Sequence, residues 1–170
     1  LWSCDMSDTL ESIADHGINL LRIPVSTELL YYWMIGEPDP ASGINAKNTP
    51  DYKFNPELCR EDGTQMDSLE IFDVLLKLCK ENGIKVMVDV HSPDANNSGH
   101  NYELWYGKEM STGVMVTTDI WMDTWVWLAD RYKNDDTLIA LDLKNEPHGK
   151  RGYASATCPT TIAKWDNSTD

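Results

Sequence analysis

Three features of the sequence predict an α/β architecture built on a parallel sheet. Apolar residues at helical spacing alternate with near-continuous apolar runs, Gly or Asn/Asp turns join the two, and each run stops at polar residues suited to chemistry. Strands joined through helices run parallel, so their carboxyl ends lie on one face. Residues at those ends converge there even though they are far apart in the chain.

The first helix is expected from Ser7 to His16, with Leu10, Ile13 and Ala14 on its apolar side, Asp8 and Glu11 as N-terminal caps and Gly17 as its stop. Ile18 to Val25 follows as a strand dense enough in aliphatic residues to be buried on both faces, ending in Arg22-Ile23-Pro24. The second copy has Leu69, Phe72, Leu75, Leu76 and Cys79 on a helix, an Asn82-Gly83 stop, and a strand from Ile84 into Asp89-Val90-His91. The third has Ile120, Trp121, Trp125, Leu128, Ala129 and Tyr132 on a helix, a turn at 134–136, and an apolar run from Leu138 to Leu143. Pro147 has no amide hydrogen and a fixed φ, so this last strand is expected to stop at Glu146. Two long connections, Thr27 to Gln65 and Ser92 to Thr118, leave the face where the strands end, and loops of that length in a compact domain are usually functional.

Composition narrows the partners. A net charge of -14 with no cluster of Lys and Arg argues against nucleic acid and anionic membranes, and suits a neutral substrate. No apolar run approaches the ~20 residues of a membrane span. Cys4, Cys59, Cys79 and Cys158 are scattered without zinc-ligand spacing, and Cys79 falls on an apolar helical face as a core thiol would. Asn96-Asn97-Ser98 and Asn167-Ser168-Thr169 fit the glycosylation pattern, and the abrupt, leaderless start is that expected of a mature or trimmed product.

The strand ends supply the candidate site. Glu146 beside Asn145 pairs a carboxylate with an amide at the end of a core strand, where a barrel enzyme would put a proton donor and its positioning partner. Arg22 and His91 align with them. Taken singly, Arg22 reads as an ion-pair partner and His91 as a satisfied buried imidazole, and only the convergence favours function. Asp89-x-His91 puts two potential metal ligands on one strand face, but no third ligand at fixed spacing accompanies them, so neither metal nor cofactor is expected. The stretch from His100 through Tyr102 to Trp105 and Tyr106 mixes flat rings with hydrogen-bonding groups, which suits the C–H faces and hydroxyls of sugars. Trp105 and Tyr106 are equally readable as core anchors, and so are Tyr31, Tyr32 and Trp33. Trp121, Trp125 and Trp127 are expected to pack against the barrel wall, and Glu28, Glu37 and Glu103 to be ordinary loop carboxylates.

The strand endings Leu21-Arg22-Ile23-Pro24-Val25, Val88-Asp89-Val90-His91-Ser92 and Leu143-Lys144-Asn145-Glu146-Pro147, with Gly99-His100-Asn101-Tyr102 and Leu104-Trp105-Tyr106, resemble glycoside hydrolase family 5, particularly its cellulase branch. The resemblance runs in order along nearly the whole chain. It implies a (β/α)8 barrel, of which residues 1–170 supply roughly the amino-terminal half, strands two to four with their helices. It implies a secreted enzyme that cleaves internal β-1,4 bonds of a β-glucan with retention, through two carboxylates about 5 Å apart. Glu146 would be the general acid/base, Asn145 a ligand of the sugar 2-hydroxyl, and Arg22 and His91 supports of the nucleophile and the cleavage subsite. His100, Tyr102 and Trp105 would line the cleft. Mannan, xyloglucan or β-1,3-glucan cleavage, or carbohydrate binding without catalysis, are the alternatives. The family's nucleophile, a glutamate ending the seventh strand, has no counterpart before Asp170, so a complementary carboxyl-terminal segment is the expected partner.

Overall fold

The structure, a computed structural model, describes residues 4–39, 55–95 and 104–147. Its elements are α1 (Met6–Asp15), β1 (Leu20–Ser26), α2 (Thr27–Met34), a 3-10 turn (Pro56–Leu58), α3 (Ser68–Glu81), β2 (Lys85–Ser92), α4 (Thr118–Tyr132) and β3 (Leu138–Asp142). The three strands form one parallel sheet in the order β1-β2-β3, with α3 in the first crossover and α4 in the second. Among the described residues no helix is long and apolar enough to cross a membrane.

The central strand carries the burial. Val86, Val88 and Val90 of β2 are shielded from solvent, whereas Leu20 on β1 is 47% exposed and Ile139 on β3 is 56% exposed. The expectation that β1 is buried on both faces is therefore corrected: it flanks the sheet, and its first five residues alternate between exposed and half-buried. Two further expectations change. The cap of α1 is Asp5, whose carboxylate accepts the Asp8 amide, so Asp8 is capped and does not itself cap. The connection after β1 opens directly into helix α2, hidden in the sequence because five consecutive apolar or aromatic residues, Leu29 to Trp33, show no 3.6-residue alternation.

The described chain divides into two compact units. Residues 4–23, 32–39, 55–88 and 131–141 make the first. Its core joins Trp33, Phe72 and Tyr132, with ring centroids 5.2 Å apart for the first pair and 5.6 Å for the second. Polar tips of the same side chains are satisfied locally. Trp33 Nε1 donates to Ser68 Oγ at 2.8 Å, and the Tyr132 hydroxyl donates to Asp73 at 2.6 Å. Burial and the neighbouring Asp73 push the Tyr132 phenol well above its ordinary pKa. Cys79 is fully buried, its thiol pushed up to about 11 by desolvation, and it is a free thiol, as are Cys4 and Cys59. A capping box starts α3: Asp67 accepts the Glu70 amide while the Glu70 carboxylate accepts the Asp67 amide. Arg60 adds a bidentate ion pair to Glu70, with contacts of 2.5 and 3.0 Å.

Residues 24–31, 89–95, 104–130 and 142–147 make the second unit. Each strand begins in the first unit and ends in the second, so the second unit collects the carboxyl ends of all three.

Candidate active site

β2 delivers Asp89 and His91 to one face by the two-residue period of a strand. Asp89 is fully buried, and its Oδ2 forms a short contact with His91 Nδ1. An ionised carboxylate can only accept, so when Asp89 is charged the hydrogen of this contact sits on Nδ1. The two residues that sequence offered as metal ligands thus hold each other. A cleft of about 340 Å³ opens beside His91, bordered by Val25, Ser26, Leu29, Ser92 and Ala95 at the ends of β1 and β2.

The end of β3 is built differently from the expectation. The strand stops at Asp142, and residues 144–146 form a bend. Glu146 has φ +42°, a left-handed conformation that no pleated strand accommodates and that is found at no other non-glycine position among the described residues. Hydrogen bonds fix this bend from several directions. The Leu143 carbonyl accepts Trp121 Nε1 at 3.0 Å and Trp125 Nε1 at 3.3 Å. Buried Lys144 donates to the carbonyls of His91 at 3.2 Å and Asn145 at 2.6 Å, and the Asn145 amide donates to the Val90 carbonyl at 2.9 Å. Asn145 is 7% exposed, while Glu146 is an exposed residue. The arrangement sets an exposed glutamate on a hydrogen-bonded bend next to the end of β2.

Trp105 stacks at 33° on Trp121 with centroids 5.5 Å apart, meets Tyr106 edge-on, and donates from Nε1 to Thr118 Oγ1 at 3.3 Å. Its indole is anchored on α4 and half-buried, with Tyr106 exposed beside it. Arg22 lies on β1 in the first unit, exposed to solvent. His100, Tyr102 and Glu103 lie outside the described residues, as do both glycosylation sequons and Cys158. The structure therefore ties the bend that carries Asn145 and Glu146 to the end of β2, which carries His91.

Sequence reasoning missed Lys144, whose charge argued for solvent, and the second task of Trp121 and Trp125, which hold a carbonyl as well as pack. It also misplaced Glu28. That residue is in the first turn of α2 and is 2% exposed, not on a loop. Trp33, one of the aromatics offered for sugar stacking, is core.

Comparison with known proteins gives the geometry a context. The sequence profile of Cellulase (glycosyl hydrolase family 5) matches residues 1–169. Endoglucanase G of Acetivibrio thermocellus is 65% identical over 98% of this chain and 30% of its own length. Endoglucanase B of the same organism is 42% identical over 96% of this chain and 26% of its own length. An endocellulase from Pyrococcus horikoshii, solved with cellotetraose, superposes with a TM-score of 0.68 and 28% identity, over 97% of this chain and 37% of that one. The chain thus spans 26–37% of the length of each of these relatives.

Proposed function

Because the chain belongs to glycoside hydrolase family 5, we propose that it forms the acid/base side of a retaining endo-β-1,4-glucanase acting on cellulose or related β-glucans. The observation that carries this reading is the bend at 144–146, where Lys144, Asn145 and two indoles immobilise the backbone that presents Glu146. In this reading residues 1–170 belong to a (β/α)8 catalytic domain whose remaining segment supplies the nucleophilic carboxylate. The names of the relatives, one of them a major extracellular endoglucanase of Xanthomonas campestris, support a secreted enzyme and a β-glucan or its oligosaccharides as substrate.

The chemistry assigned to the residues follows. As the nucleophile attacks the anomeric carbon, the C–O bond breaks and Glu146 gives its proton to the departing glycosidic oxygen. The resulting carboxylate then takes a proton from water, and the hydroxide equivalent displaces the enzyme carboxylate and restores Glu146. Asn145 donates to the sugar 2-hydroxyl. His91, oriented by Asp89, and Arg22 support the nucleophile and the cleavage subsite, while His100, Tyr102 and Trp105 line the cleft.

The test is made in the natural gene product with Glu146→Ala. Release of reducing ends from carboxymethylcellulose is expected to fall by about 10²–10⁴-fold. Attack on an aryl cellobioside with an acidic phenol should survive far better, since that leaving group needs no protonation, and added azide should replace the missing base. Equal loss on both substrates would sink the acid/base role. Faster release from mannan than from carboxymethylcellulose would replace the glucanase reading with a mannanase one.

A further inference from the structure

Glu28 is a carboxylate at the junction of β1 and α2, 2% exposed. Burial of a charge costs several kcal/mol unless hydrogen bonds compensate, and the first turn of a helix lowers that cost only in part. Here the compensating bonds all come from the connection between β2 and α4. Oε2 accepts the Ala95 amide at 2.7 Å, Oε1 accepts the Ser111 amide at 2.9 Å and the Ser111 hydroxyl in a short contact, and the Glu28 amide donates to the Pro93 carbonyl at 2.9 Å. Pro93 and Ala95 begin the connection between β2 and α4. Ser111 is at the tip of a hairpin-like turn later in the same connection, closed by Gly107–Val116, Val116–Lys108 and Met110–Val114 backbone bonds of 2.8 to 2.9 Å. Met110 and Val116, which belong to this turn, are buried. Trp105 and Tyr106 immediately precede this turn.

We propose that Glu28 is a positioning residue for substrate binding: its carboxylate clips the start of the β2–α4 connection to the hairpin-like turn at Ser111 and thereby fixes the aromatic wall of the cleft. The proposal rests on the glucanase reading for its choice of substrate. It assigns Glu28 no part in proton transfer, because the bend leading to Glu146 is held by a separate set of bonds, from α4 to the Leu143 carbonyl and from Lys144 to the Asn145 carbonyl.

Glu28→Gln tests it in the natural gene product. Glutamine keeps one acceptor oxygen and turns an NH2 toward a backbone amide, donor against donor, so one end of the clip opens. KM for cello-oligosaccharides is expected to rise about tenfold, as loss of a charged hydrogen bond implies, with kcat within about twofold and the pH–rate profile unmoved. Amide exchange across 107–116 should accelerate by at least about tenfold. Ser111→Ala, which removes one hydroxyl donor and leaves the amide, should give a smaller rise in KM, and Glu28→Asp a partial rescue. If Glu28→Gln does not fold, Ser111→Ala and Glu28→Asp decide the matter by the same readouts. Unchanged exchange in the hairpin, or a fall in kcat at constant KM, overturns the proposal. Should the unsubstituted protein fail to cleave cello-oligosaccharides, the glucanase reading falls, and the exchange measurement still judges the clip.

Discussion

Glu146 occupies a left-handed backbone position, φ +42°, immediately before a proline. For a residue with a long side chain this costs about 1–3 kcal/mol, and it persists where surrounding bonds over-determine it. Lys144, the Asn145 amide and the indoles on the Leu143 carbonyl are those bonds. Asparagine tolerates the conformation better than glutamate. Glu146→Asn is therefore expected to raise unfolding stability by about 1 kcal/mol in urea while abolishing glucan cleavage. Glu146→Gln should be inactive at unchanged stability, and equal stability of the two variants would remove the strain from the account. At this scale the sequence was informative about identity and blind to conformation. The apolar run and Pro147 located the carboxylate, but the strand was expected to reach it because nothing in Leu143-Lys144-Asn145 announces a bend. Lys144 is buried as a donor to two carbonyls, and a lysine's solubility in water hides that role in any sequence reading.

At the scale of elements, α4 does two jobs. Its apolar spacing was legible, and Trp125, Leu128 and Tyr132 are buried as that spacing implies, while Ala129, placed on the same side, is exposed. Its donation from Trp121 and Trp125 to one carbonyl depends on where β3 ends, which periodicity does not report. Trp121→Phe keeps a ring against Trp105 and loses the donor. We expect a fall in kcat of about fivefold with about 1 kcal/mol lost in stability, and an unchanged kcat would show that Trp125 alone suffices. A second junction joins α3, β2 and the turn before β3, where Lys80 and Lys85 both reach Asp136. The hydrogen bond from Lys80, and then that from Lys85, hold the Asp136 carboxyl below the usual carboxylate range. A lowered folded-state pKa stabilises the fold above the ordinary carboxylate value, and the benefit is lost as pH falls through the lowered one. Asp136→Asn should accordingly reduce Tm at neutral pH, by less in high salt, and the difference should vanish in strong acid. A difference that persists there would mean that the pair acts through packing.

For the whole molecule, the order of helices and strands was readable because three turns of the same helix–turn–strand pattern reinforce one another. The exposure of β1 was not, since a run such as Leu20 to Val25 looks equally buried whether a strand lies in the centre or at the side of its sheet. Leu20 and Ile139 remain exposed on the flanking strands. We propose that residues 1–170 made alone will neither cleave glucan nor remain monodisperse, and that the natural gene product will do both; a stable, monodisperse 170-residue monomer would count against this. Cys79 makes such experiments self-reporting. With its thiol fully enclosed and its ionisation pushed up to about 11, iodoacetamide at neutral pH reaches it only when the surrounding helix opens, so its labelling rate is a built-in clock for that opening.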